Sequence, residues 1–180
     1  MRSKTTQQLT LSALLCALLC VLAQVQIPLP PVPLSLSLLA VHLCGALLGC
    51  RWGTAAVGCY VFLGAVGLPV FAGLGGGISA LLGPTGGFIL GYLPCAFVVG
   101  VLARHMGFSR RALMLSMAAG TLLCYAAGLC WFSLSTGAGL AAGLSACVLP
   151  FIPGDLLKIA LAASLSLRLQ KPLRSAGLCV

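Results

Sequence analysis

The sequence predicts an all-α integral membrane protein, a bundle of six transmembrane helices with both termini on the cytoplasmic side. Three observations lead there. The chain of 180 residues is 61% hydrophobic and only 6% charged, with a mean hydropathy of +1.16. Apolar runs recur at about the 20 residues that a helix needs to cross the hydrocarbon core. The ten Lys and Arg residues fall in short clusters between those runs, and Asp155 is the sole acidic residue. The formal charge of +9 therefore reads as membrane topology. Nucleic-acid binding would need a basic stripe with interleaved aromatics, and there is none. A single membrane domain over 1–180 is expected.

A short polar head carrying Arg2 and Lys4 precedes the first span, 9–25. That span has the layout of a signal peptide with Val21-Leu22-Ala23 as a cleavage site, but the charge pattern uses it as a retained helix. Ala13 and Ala17 form a small-xxx-small pair on it, a spacing that lets another helix approach closely. An outer loop, 26–33 (QIPLPPVP), follows; its four prolines remove donors and fix φ, so it is stiff and extended. The second span covers 34–50 and ends at Arg51-Trp52-Gly53; the third covers 54–69.

The second outer loop, 70–83, holds the glycine-rich run FAGLGGGIS at 71–79, long enough to act as a lid or binding segment. Gly83-Pro84-Thr85-Gly86-Gly87 opens the fourth span, 84–103, with Pro84 suited to a first helical turn. A basic turn with Arg110 and Arg111 leads into the fifth span, 112–132, and a small-residue loop, 133–143, follows. The sixth span, 144–169, is broken at Pro150 and Pro153 and leads into a tail with Lys171 and Arg174.

Threading these spans with the N-terminus inside puts nine of the ten basic residues on the cytoplasmic side, the exception being Lys158. An odd span count or the reverse orientation breaks this segregation. The N-terminal ends of the fourth and sixth spans then face the exterior beside both outer loops. A polar pocket near the outer face is the consequence, and capture of a small polar molecule from outside is the functional expectation.

That pocket centres on Pro150-Phe151-Ile152-Pro153-Gly154-Asp155-Leu156-Leu157-Lys158. A carboxylate at bilayer depth costs roughly 2.5–3.5 kcal/mol on insertion scales, so it is paired, beside a polar cavity, or retained for function. In a helix starting near Pro153, Asp155 and Lys158 share one face at i, i+3. The helix start adds a partial positive charge, which transporters use to hold anionic groups. A purely structural ion pair is the competing reading.

Other chemistries lack their residues. There is no G-x-x-x-x-G-K-[ST], so the chain holds no ATP-binding P-loop, and one carboxylate is too few for Mg²⁺-dependent transfer. His42 and His105 have no neighbouring carboxylate, and ten scattered cysteines form no C-x-x-C pair, so neither a catalytic nor a metal site is expected. Trp52, Trp131 and Tyr60 read as interfacial anchors.

Three segments carry a family resemblance. Leu82-Gly83-Pro84-Thr85-Gly86-Gly87-Phe88-Ile89-Leu90-Gly91-Tyr92 resembles the GPTGGY-type segment of the BioY family, the biotin-binding S components of energy-coupling factor (ECF) transporters. Tyr60 to Phe71 resembles that family's YxxxGxxGxPVF run. Tyr125, Gly128 and Trp131, followed by the Pro150–Lys158 segment, resemble its C-terminal signature. Two departures stand out: Pro31-Val32-Pro33-Leu34-Ser35-Leu36-Ser37 replaces the usual PVPxTLQ, and Phe88 replaces a tyrosine.

The resemblance implies an S-component-like bundle in the bacterial cytoplasmic membrane, without enzyme activity or cofactor, that takes biotin as its ligand. It implies a binding set of Asp155, Lys158, Thr85, Gly86, Tyr92 and Ser37, with Gly75, Gly76 and Gly77 in a closing lid. Asp155 accepts and Lys158 donates, which suits a ureido ring or a carboxylate tail. The resemblance also implies partners: a transmembrane coupling (T) protein docking on Ala13 and Ala17, and paired ABC-type ATPases. A stand-alone biotin or vitamin carrier, an S component for another vitamin and a structural protein are the alternatives.

Overall fold

The computed structural model describes residues 4–27 and 32–175. Arg2 and the prolines Pro28, Pro30 and Pro31 of the expected stiff loop lie outside the described residues. The helices are α1 (Lys4–Gln24), α2 (Ser37–Ala65), α3 (Ile78–Leu82), α4 (Gly86–Met106), α5 (Arg110–Thr136), α6 (Leu140–Cys147) and α7 (Ile152–Ser175). Between α1 and α2, a small antiparallel ribbon pairs β1 (Gln26–Ile27) with β2 (Leu34–Ser35). It closes the proline-rich segment at its base.

Among the described residues, α1, α2, α4 and α5 are long and apolar enough to cross a membrane, and the α6–α7 pair, bent by 56°, makes a fifth candidate. The difference from six lies inside α2. At Gly49 the backbone takes φ 74° and ψ −177°, a conformation that glycine tolerates. In an unbroken helix Cys44 and Gly53 would stand roughly 13 Å apart along the axis. Here a Cβ on Gly53 would lie 2.5 Å from the Cys44 carbonyl oxygen, so α2 folds back into two arms. The turn comes at Gly49, ahead of the Arg51-Trp52-Gly53 segment where the sequence suggests it.

Residues 37–48, the first arm, are buried along their whole length. An arm apolar on all sides belongs inside a core or a membrane. At 12 residues it is about 18 Å long, too short to cross the hydrocarbon unaided. The other helices cover it. It runs alongside α4 in the same direction: Gly45 abuts Ala96 and Val99, and Gly100 abuts Gly49 and Cys50. On its other side α4 meets α5 along Gly87–Trp131, Gly91–Cys124 and Cys95–Gly120. Small residues at these crossings permit the close backbone approach that drives helix association in lipid. α1 packs on α2, and α7 on α2 and α5.

Three loop expectations need correction. The expected outer loop 133–143 is mostly helix: α5 continues to Thr136, closes on Gly137 in the left-handed conformation, and α6 begins at Leu140. The expected sixth span starts earlier and divides, because Val148–Phe151, with Pro150, does not continue the helix and α7 restarts at Ile152. Pro84 is not in the first turn of α4 but in the turn before it, with Thr85 as the capping position.

Candidate functional site

The break before α7 is what presents the acidic residue. Asp155 lies in the first turn of α7 and Lys158 follows on the same face, with the Lys158 ammonium 2.7 Å from Asp155 Oδ1. Both residues are buried, at 5% exposure each, so neither charge is left to water or lipid. The other carboxylate oxygen, Oδ2, accepts from the Tyr125 hydroxyl on α5. An ionised carboxylate offers about four acceptor positions and an ammonium three donors. With one bond between them and one from Tyr125, the pair retains both acceptor and donor capacity.

The pair closes one end of two adjoining cavities. The smaller, about 50 Å³, is bounded by Asp155, Lys158, Cys124, Tyr125 and Phe151. The larger, about 210 Å³, is bounded by Ser37, Tyr60, Phe71, Gly75, Thr85 and Ile89. Val32, Pro33, Ser35, Phe88 and Tyr92 line both, so the cavities share a wall built from the proline-rich segment and the start of α4. Together they fall near the lower end of small-molecule pockets, which run from about 300 Å³ upward. Aromatic rings dominate the walls: Tyr60 and Phe71 meet edge to face at 5.5 Å. The polar positions are few and specific. Ser35 and Ser37 hydrogen-bond to each other at 2.8 Å in the larger cavity, and Thr85 stands at its rim.

Of the residues singled out in the sequence, Asp155, Lys158, Tyr92, Thr85 and Ser37 come together at these cavities. Gly76, Gly77 and Gly86 do not line them, and each has a backbone role. The Gly86 N–H is taken by the Gly83 carbonyl at 3.0 Å, and a Cβ there would meet the Leu81 carbonyl at 1.7 Å. The Gly77 N–H is bonded to the Gly64 carbonyl at 2.7 Å, and Gly76 lies tight against the Leu68 carbonyl. Of the three glycines expected in the lid, Gly75 lines the larger cavity.

Several residues were not legible as site residues. Tyr60 is no interfacial anchor, being 1% exposed and in the cavity wall. Trp131 is part of the scaffold: its indole N–H donates to the Gly83 carbonyl at 3.0 Å, fixing the turn that carries Thr85. Gln24, at the end of α1, clamps the glycine-rich loop. Its amide donates to the Val70 and Phe71 carbonyls at 3.1 Å each, and its Oε1 accepts from the Leu74 N–H at 2.9 Å. Leu74 has a positive φ of 58°, so this clamp holds an otherwise unfavourable backbone. Tyr60, Tyr125 and Trp131 stand in the segments that carry the family resemblance, whereas for Gln24 the one signal is a polar side chain at the end of an apolar run.

His42 is buried in the first arm of α2, with Nε2 3.2 Å from Thr121 Oγ1. Among the described residues no group of three or more His, Cys, Asp or Glu side chains is arranged to hold a metal.

Residues 1–175 match the sequence profile of the BioY family. The chain is 40% identical over 165 residues to the biotin transporter BioY of Thermotoga maritima, covering 92% of this chain and 96% of the relative. It is 39% identical over 166 residues to the biotin transporter BioY of Rhodobacter capsulatus, covering 85% and 87% of the two chains. In three dimensions it is similar to the crystal structure of the S component for biotin from an ECF-type ABC transporter. The TM-score is 0.89 at 30% identity, over 95% of both chains.

Proposed function

Given that the chain belongs to the BioY family, we propose that it is the biotin-binding S component of an ECF transporter. In this reading it captures biotin from the extracytoplasmic side and delivers it inward through the bacterial cytoplasmic membrane. The family consists of transport proteins, not enzymes.

The observation that carries the reading is the Asp155–Lys158 pair, braced by Tyr125, at the end of an aromatic-walled cavity. Biotin has two ureido N–H donors, a ureido carbonyl and a carboxylate tail around an apolar bicycle. The remaining acceptor capacity of Asp155 suits the N–H groups, and the remaining Lys158 donors suit the carbonyl or the carboxylate. Tyr60, Phe71, Phe88 and Tyr92 offer the apolar faces that the bicycle and the valeryl chain need. Ser35, Ser37 and Thr85 supply hydroxyls for the other polar end.

Six crossings with both termini cytoplasmic follow if the two arms of α2 count separately and α6–α7 counts once. The fold-back at Gly49 and the meeting of Gln8, Arg51 and Arg104 around one cavity support this orientation, because they gather basic residues at the end away from Asp155. Energy would come from a coupling T protein driven by paired ABC-type ATPases. Ala13 and Ala17 are exposed on α1, where a partner helix can reach them.

Labelled biotin binding to purified wild type and to Asp155→Asn in detergent tests this, with unlabelled biotin, thiamine and riboflavin as competitors. The expected result is tight binding displaced by biotin alone and weakened at least tenfold in the variant, about 1.4 kcal/mol. A folded wild type that binds no biotin overturns the ligand. Undiminished binding by the variant reduces the ion pair to a structural element.

A further inference from the structure

A cavity larger than these two lies at the opposite end of the bundle from Asp155. The first arm of α2 leads from Ser37, at the Asp155 end, to Leu48 here, and α4 leads from Phe88 to Arg104. The cavity has a volume of about 550 Å³, and Gln8, Arg51, Trp52 and Arg104 supply its polar groups. Ala46, Leu48, Ala103 and Phe108 supply apolar lining beside them. Neither guanidinium has a hydrogen bond or an ion pair among the described residues, and Gln8 and the Trp52 indole N–H are equally unengaged.

The chain has no acidic side chain to offer them. Asp155 is the only one, and it is committed to Lys158 and Tyr125 at the far end. Two arginines converging on one cavity without a counter-charge among the described residues suit an anion from outside the chain. A guanidinium presents a rigid fork of donors that matches phosphate oxygens two at a time. The cavity is lined from the beginning of α1 and the end of α4, which the orientation proposed above puts at head-group level, and its apolar side suits the glycerol and upper acyl carbons. Basic pockets between membrane helices hold anionic lipid head groups by this combination.

We propose that this cavity is a binding site for the phosphate head group of one anionic phospholipid, gripped by Arg51 and Arg104. Under the orientation proposed above it faces the cytoplasmic leaflet. A lipid there bridges the fold-back of α2 and the C-terminal end of α4, pinning two elements that both line the binding pocket.

Native mass spectrometry of the full chain, released from nanodiscs of phosphatidylcholine doped with phosphatidylglycerol, reads the occupancy. One phosphatidylglycerol should stay on the wild type. R51Q/R104Q should lose it at least tenfold, whereas R110Q/R111Q, which removes the same charge outside the cavity, should keep it within twofold. Both arginines are exposed, so the single variants R51Q and R104Q should retain the wild-type unfolding temperature in detergent. If the double variant fails to fold, a several-fold loss of occupancy in each single variant carries the test. Equal loss in the two double variants, equal retention of phosphatidylcholine, or unchanged occupancy in R51Q and R104Q overturns the proposal. Displacement of the lipid by millimolar inorganic phosphate assigns the site to a free anion and overturns the lipid source.

Discussion

Asp155 sits in a place where a carboxylate survives only with partners, and it has two. Lys158 comes from its own helix, one turn away, and Tyr125 from α5. The first partner follows from i, i+3 spacing in a helix begun near Pro153. The second is separated by 30 residues and by a loop, a short helix and a bend, so no local pattern points to it. Tyr125→Phe keeps the ring and removes the donor, leaving one carboxylate oxygen short of a partner. Hydrogen bonds to charged groups contribute about 1.5–3 kcal/mol. Biotin affinity should therefore fall roughly ten- to a hundredfold, measured with the same labelled-ligand assay, while the purified variant remains monodisperse. Unchanged affinity would show that Lys158 alone orients the carboxylate. Tyr60 teaches the converse. A tyrosine near the end of an apolar run suggests an interfacial anchor, yet the fold-back at Gly49 carries it into the wall of the cavity.

Loops and helix ends are organised by side chains reaching across elements. The glycine-rich loop permits several conformations, and Gln24 selects one by holding Val70, Phe71 and Leu74 from the end of α1. Each neutral hydrogen bond of this kind nets about 0.5–1.5 kcal/mol. Gln24→Ala should raise the amide hydrogen-exchange rate of residues 70–75 by tenfold or more and speed biotin dissociation. The exchange of α4 and α5 should be unaffected. Loop exchange that stays at the wild-type rate would place the restraint in the Phe71–Gly75 bridge instead. The turn that carries Thr85 is set in the same way, by Trp131 on Gly83 and by the close fit of Gly86 on Leu81. The family resemblance puts Gly86 in the binding set. In the fold the space beside Gly86 is filled by the Leu81 backbone.

Across the molecule, α1 divides its surface cleanly. Leu15, Leu19 and Ala23 are buried against the bundle, while Thr6, Thr10, Ala13, Ala17 and Val21 are exposed along the other side. Replacing both alanines, Ala13→Leu with Ala17→Leu, adds bulk on a face that touches nothing in the chain. Biotin binding by the isolated subunit should stay within twofold of wild type, whereas uptake by cells carrying the coupling proteins should fall at least tenfold. Undiminished uptake would move the docking surface elsewhere. Composition and charge placement sufficed for an all-helical membrane protein and for the pairing of Asp155 with Lys158 on one helix face, because hydropathy, positive charge and i, i+3 spacing act locally or by simple partition. The fold-back of α2, the burial of its first arm, the brace from Tyr125 and the clamp from Gln24 required the folded chain. Each depends on contacts between residues distant in sequence, and in so uniformly apolar a chain many packings satisfy hydropathy equally. Steric fit between glycine-lined helices and the pairing of a few polar groups selects among them.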